Sequence, residues 1–258
     1  MIIYKKINKI KRILLSSLLI FLLSSISYPF TFAVIGDRTG RPMRGVFEKN
    51  LSEILKTDAK FIIQLGDILE NSSVEQYEFI KNLLKNIKIP IYFVPGNHDL
   101  LGDPEGKKFQ EFTRKPLYYY FDYENARFII LNNSSGRIGK EQMIWLIDVL
   151  ENTKTKYKFV FMHQPVIAPS FFFIFHKADP IESIKLMEIF EKYQVDYVFS
   201  GHIHMYYRKE INGVIYIISG IGGSTPYVSP EVDAGKPHFI LINVSENGIT
   251  DNRIIIEK

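Results

Sequence analysis

Five apolar runs in this chain each close on a carboxylate, an amide or an imidazole, and that recurrence constrains the fold more than any other feature. Phe30-Thr31-Phe32-Ala33-Val34-Ile35 ends in Gly36-Asp37, and Phe61-Ile62-Ile63-Gln64-Leu65 ends in Gly66-Asp67. Ile89-Pro90-Ile91-Tyr92-Phe93 continues through Val94-Pro95 into Gly96-Asn97-His98-Asp99. Lys158-Phe159-Val160-Phe161-Met162 reaches His163, and Tyr197-Val198-Phe199 delivers Ser200-Gly201-His202-Ile203-His204. Short apolar runs bounded by Gly and Pro read as buried strands. In an open α/β sheet, ligands collect at the carboxyl ends of the strands, so these side chains should converge on one rim. Four of the six histidines fall in this set, which random placement of a scarce residue rarely produces. Within the third cluster, Asn97 offers an amide oxygen, His98 an imidazole that titrates near neutrality, and Asp99 a carboxylate able to orient it.

The segments between the runs carry helical periodicity. Phe47, Leu51, Ile54 and Leu55 form one amphipathic stripe, and Phe79, Ile80, Leu83, Leu84 and Ile87 another. Strand, helix, strand, helix, strand at this spacing predicts a parallel sheet with right-handed crossovers. Leu101 to Lys115 is polar and bears Gly and Pro, which predicts a surface loop. Tyr118 to Phe121 and Arg127 to Leu131 read as strands, and Gly139 to Leu150 and Ile181 to Tyr193 as helices. The tail predicts antiparallel strands over Val214 to Ser219, Phe239 to Val244 and Ile249 to Ile256, with turns at Asn212-Gly213 and Asn247-Gly248. Ser170-Phe171-Phe172-Phe173-Ile174-Phe175 lacks alternation and reads first as packed core, then as a hydrophobic lid or a membrane-contacting surface.

Residues 1–27 stand apart from this pattern. Lys5, Lys6, Lys9, Lys11 and Arg12 precede an apolar and small-residue run, Ile13 to Ile26, the layout of a secretory signal. The run is shorter than the ~20 residues of a comfortable membrane span, although an uncleaved N-terminal anchor stays open. We therefore expect a signal peptide or anchor over 1–27, one domain over 28–258, and an extracytoplasmic location. The formal charge of +4 includes those five basic residues, so the remainder is close to about −1. The basic balance is accordingly no argument for nucleic acid. With no cysteine in the chain, disulfides, thiolate metal sites and cysteine nucleophiles are excluded, and any metal must be held by nitrogen and oxygen.

The order Gly-Asp, Gly-Asp, Gly-Asn-His-Asp, His, Gly-His-x-His resembles the calcineurin-like metallophosphoesterase superfamily, over residues 30 to about 222. The resemblance implies an α/β fold, a four-layer α/β/β/α sandwich with mixed sheets, carrying a two-metal site (Mn, Fe or Zn) that hydrolyses phosphate mono- or diesters of small molecules. Carried over residue by residue, it makes Asp67 the carboxylate shared by both metals. Asn97, His163 and His202 would complete one metal, while Asp37 and His204 would serve the other. His98 would face the scissile phosphate, supported by Asp99. One position departs from the family pattern, which places a histidine two residues after the first Asp; here it is Thr39. The purple acid phosphatase branch also lacks that histidine and uses a tyrosine three residues after the second Gly-Asp aspartate, where this chain has Glu70. Glu70, or failing it Thr39 or water, is the expected replacement, although Glu70 also fits a solvated position ahead of a helix.

Several residues read less sharply. Arg38 suits either a substrate phosphate or an exposed salt bridge. Gly220-Ile221-Gly222-Gly223-Ser224-Thr225 lacks the Lys of a phosphate-binding loop and reads as a close-packed turn near the site. Tyr206, Tyr207 and Arg208 read as packing, and His176 and His238 as surface or internally satisfied. Two other functions compete: a degenerate scaffold, favoured only by Thr39, and a membrane-attached hydrolase of a lipid-linked phosphate, motivated by the leader and the Phe run.

Overall fold

The computed structural model describes residues 28–227 and 235–257. The leader reading over 1–27 lies outside them, as does the middle of Ser224 to Lys236. The first strands are β1 (Phe30–Ile35), β2 (Ile62–Gln64), β3 (Ile91–Phe93), β4 (Tyr119–Tyr123), β5 (Ala126–Ile130) and β6 (Tyr157–Phe161). They are followed by β7 (Tyr197–Ser200), β8 (Tyr206–Ile211), β9 (Val214–Ser219), β10 (His238–Ser245) and β11 (Gly248–Ile255). The helices are α1 (Val46–Ile54), α2 (Val74–Leu84), α3 (Lys107–Thr113), α4 (Gly139–Glu151) and α5 (Pro180–Lys192).

Two mixed sheets result, one ordered β11-β10-β1-β2-β3 and the other β4-β5-β6-β7-β9-β8. In the first, β1, β2 and β3 are parallel, and Ile35, Gln64 and Phe93 stand in register. That register is what brings Asp37, Asp67 and Asn97 out on the same edge. In the second, β6 and β7 are parallel, with Phe161 opposite Phe199, so His163 and His202 leave side by side.

Both faces of β1 are covered, which is why it reads as a continuous apolar run. Phe30, Phe32 and Val34 point into the space between the sheets, while Ala33 and Ile35 pack with Phe47, Leu51 and Ile54 of α1. The interior is an aromatic slab: Phe32 lies 5.3 Å from Phe61 and 5.1 Å from Phe128, and Phe128 lies 5.1 Å from Phe159. Edge-to-face and offset contacts at these distances add to the burial itself. On the far side, Ile129, Val160 and Val198 pack with Leu146 of α4 and Leu186 and Phe190 of α5. Helices, sheet, sheet and helices form the four expected layers.

Three local expectations need correction. Leu101 to Lys115 contains α3, whose apolar face is little more than buried Phe109 and part-buried Phe112, too sparse a stripe to signal a helix. In the edge strand β8, Tyr206 and Tyr207 pack against the core as expected, and only Arg208 departs, facing solvent and pairing with Asp251 at 2.9 Å. The Phe run is not core: it forms a 3₁₀ helix, Phe171–His176, in which Phe173 alone is buried while Phe171 is 79% and Phe175 91% exposed. Among the described residues no helix is long and apolar enough to cross a membrane.

His238 is internally satisfied. Its Nδ1–H donates to the Lys236 carbonyl at 2.8 Å, and Nε2 meets the Ser219 hydroxyl at 2.9 Å. Burial pushes its pKa down to about 3 from 6.5. A depressed pKa means that its contribution to stability is full above the unfolded value and is lost as pH falls from 6.5 toward 3. The melting temperature should therefore drop more steeply between about pH 6 and 4 in the native chain than in His238→Gln. Parallel pH profiles for the two proteins would rule this out.

Candidate metal centre

The shared rim is built from loops with little freedom. Asp67 and His202 both sit in the left-handed region, at φ 54° and 64°, a conformation that costs non-glycine residues energy. Their glycine neighbours are there for space. A Cβ on Gly201 would collide with the Asp37 carboxylate, and one on Gly96 with Asp67.

Three ligand-bearing side chains converge: the ligand atoms of Asp67, His163 and His202 all lie within 4.8 Å of one another. His163 Nε2 is 3.1 Å from Asp67 Oδ2, 3.0 Å from Asn97 Oδ1 and 3.3 Å from His202 Nδ1. Its other nitrogen donates to the Leu65 carbonyl at 2.8 Å, which aims Nε2 inward. Asp37 and His204 form a second group, with Nε2 3.5 Å from Asp37 Oδ2, while His204 Nδ1–H donates to the Thr225 carbonyl at 3.0 Å. The two groups are linked because Asp37 accepts the backbone N–H of His202 at 3.0 Å.

The electrostatics favour a positive charge here. Burial disfavours the charged form of His163, but Asp67, with Asp37 behind it, outweighs that and pushes its pKa up to about 10. Burial likewise opposes ionisation of Asp67, and His163 overrides it to hold the carboxyl below its usual range. His202 goes the other way, down to about 3, through burial and the neighbouring His163 charge. An ionised carboxylate, an amide oxygen and imidazole nitrogens aimed at one point suit a divalent cation bound through nitrogen and oxygen.

Other expected site residues have different surroundings. Asp99 is fully buried, and its carboxylate accepts backbone N–H groups of Asp67, Leu69 and Gly96 at 2.8–2.9 Å, not the His98 ring. Burial, then the charge of Asp67, pushes its pKa up to about 7. It holds the Asp67 loop in shape. His98 is half-buried; its backbone N–H donates to Asp67 Oδ1 at 2.9 Å, and its Nδ1–H to the Glu70 carbonyl at 3.1 Å. Glu70 thus meets the site through its peptide oxygen, and its carboxylate is not in the converging group. The Thr39 hydroxyl donates to the Asp67 carbonyl at 2.9 Å. Arg38 is buried, donates from Nε to the Ile68 carbonyl at 2.6 Å and lies over Phe79, so the exposed salt bridge does not fit.

Asn133 escaped sequence reading. It is fully buried, accepts the N–H groups of His163 and Gln164 at 2.9 and 3.0 Å, and donates to the Gln164 carbonyl. Its only sequence signal is Asn132-Asn133 closing the apolar run of β5, one pair short of a histidine or acid.

A family model described as calcineurin-like phosphoesterase matches residues 30–206. The chain belongs to that family. Among relatives, it is 32% identical over 98 residues, 37% of this chain, to a probable cyclic nucleotide phosphodiesterase of Fibrobacter succinogenes. It is 26% identical over 175 residues, 66% of this chain, to a 3',5'-cyclic-nucleotide phosphodiesterase of Nostoc. The matched regions span 38% and 64% of those two relatives' lengths. Among solved structures, purple acid phosphatase PPD1 of yellow lupin superposes with a TM-score of 0.73 at 20% identity, covering 85% of this chain and 50% of that one. This calcineurin-like member shares the lupin protein's fold, and its converging Asp67, His163 and His202 lie at the carboxyl edges of the two central sheets.

Proposed function

We propose that the chain is a metal-dependent hydrolase of phosphate esters working at a two-metal site. The observation that carries this is the convergence of Asp67, His163 and His202 within 4.8 Å, beside the Asp37–His204 pair. Asp67, Asn97, His163 and His202 would hold one ion, and Asp37, His204 and the shared Asp67 the other. Bound divalent ions supply Lewis acidity and lower the pKa of a coordinated water. His98, fixed through Nδ1 by the Glu70 carbonyl, presents Nε2 as the group that donates a proton to the leaving oxygen. With the Thr39 hydroxyl engaged by the Asp67 carbonyl and Glu70 meeting the site through its peptide oxygen, solvent is the proposed replacement for the missing histidine. The oxygen-rich donors around Asp37 suit Mn²⁺ or iron.

Metal analysis of the purified chain, with p-nitrophenyl phosphate and bis(p-nitrophenyl) phosphate assayed in added Mn²⁺, Fe²⁺ and Zn²⁺, tests the reading. Metal-stimulated release from at least one ester is expected. No stimulation with either would favour the scaffold function. Export is a separate proposal, supported by the basic-then-apolar layout of residues 1–27; N-terminal sequencing that finds the chain in the cytoplasm with its leader intact would reject it.

A further inference from the structure

Beside His204 the surface opens into a cleft of about 380 Å³, within the range that small ligands occupy. Its walls are aromatic and follow one another from the metal centre outward. The Tyr227 ring stacks on His204 at 4.5 Å, Phe173 stacks behind Tyr227 at 6.3 Å, and Phe172 stands edge-on to Phe173 at 5.0 Å. His176 lies 5.9 Å from Tyr227. Gly40 lines the cleft at φ 70°, where a Cβ would come within 2.5 Å of His204 Cε1, so glycine leaves the ring room at the base of the cleft. Arg41, exposed, lines the same cleft and supplies a cation. Buried Phe173 anchors the 3₁₀ helix, whereas Phe172 leaves 51% of its surface in solvent over the opening. Aromatic faces flanked by a guanidinium suit a planar ring attached to an anion.

The cleft has a direction relative to the chemistry. The contacts run from His204 to Asp37, through His202 to His163 and Asp67, and on to His98. His204 therefore meets the Asp37 carboxylate and His98 the Asp67 carboxylate, on different sides of the His163–His202 pair in this sequence of contacts. With His98 at the leaving oxygen on the Asp67 side, the arm seated on the Asp37–His204 side is taken as the one the phosphorus keeps. We propose that this cleft seats the retained ester arm of a phosphodiester and selects arms that carry a planar aromatic ring. The proposal rests on the hydrolase reading and assigns its substrate class.

Bis(p-nitrophenyl) phosphate and methyl p-nitrophenyl phosphate share a leaving group and differ in the retained arm. The aryl-armed ester is expected to have a kcat/KM about tenfold higher, and Phe172→Ala to reduce that ratio to about twofold or less. Phe175→Ala, exposed and outside the cleft lining, should leave the ratio as it was. Calorimetric titration with diphenylphosphinate and dimethylphosphinate, which cannot be hydrolysed, should give the same ranking and the same collapse in Phe172→Ala. A native ratio near one, or a Phe172→Ala loss equal for both esters, overturns the subsite while leaving the hydrolase intact. Preferential binding of diphenylphosphinate without turnover of any ester supports the subsite and removes the hydrolase. Unchanged selectivity with weakened binding to anionic liposomes in Phe172→Ala would transfer the exposed rings to a membrane surface and overturn the proposal.

Discussion

Asp67→Asn should strip the protein of metal and lower kcat/KM for phosphate esters by at least about a thousandfold, about 4 kcal/mol of transition-state stabilisation. The fold should survive. Asn tolerates the left-handed φ of 54° at this position, and its Oδ1 can still accept the His98 N–H. What disappears is the charge that faces His163 across 3.1 Å and drives its pKa up to about 10. Removing that charge also relieves Asp99, whose carboxyl is pushed up by burial and then by Asp67. The metal-free variant should nonetheless melt below the metal-free native chain, because a carboxyl held below its usual range and an imidazole pushed up to about 10 form a buried pair that stabilises the fold, and the variant leaves His163 without its counter-charge. Metal analysis and calorimetry on the same preparation read both halves. A variant that keeps two ions at native affinity would show that Asp67 is not their shared ligand.

Much of this arrangement could be read from the chain because its cause is periodic. β1, β2 and β3 are apolar on both faces, and the residue that ends the apolar run is also the one that leaves the sheet at its carboxyl edge. Asp37, Asp67, Asn97, His163, His202 and His204 were legible for that reason. The partners of those residues were not, since they are set by loop geometry. Asp99 follows His98 in sequence, yet its carboxylate turns to three backbone N–H groups, a choice made by the left-handed turn at Asp67. The resemblance, not any pattern in the chain itself, set Glu70 at the position of the purple acid phosphatase branch's tyrosine, and no pattern announced that its carbonyl accepts from His98. Asn133 orients His163 through backbone contacts that no side-chain pattern announces. The Phe run misled for a related reason: four phenylalanines predict burial, and only tertiary packing reveals that Phe173 alone is enclosed.

His98→Asn separates proton donation from metal binding. The imidazole is tied through backbone N–H to Asp67 and through Nδ1 to the Glu70 carbonyl, so Nε2 is its one nitrogen left for substrate. Its ring is absent from the converging ligand group, and the variant should hold the native complement of metal. A positioned proton donor contributes about 10²–10⁴ in rate, and the loss should fall on kcat. The size of the loss should follow the leaving group: an alkyl phosphate, whose departing alkoxide needs a proton, should suffer near the top of that range. A p-nitrophenyl ester should lose far less, because its phenolate departs unprotonated. Equal losses for both esters, with metal content unchanged, would assign His98 to binding the phosphoryl oxygens and leave the leaving group without a donor from this residue.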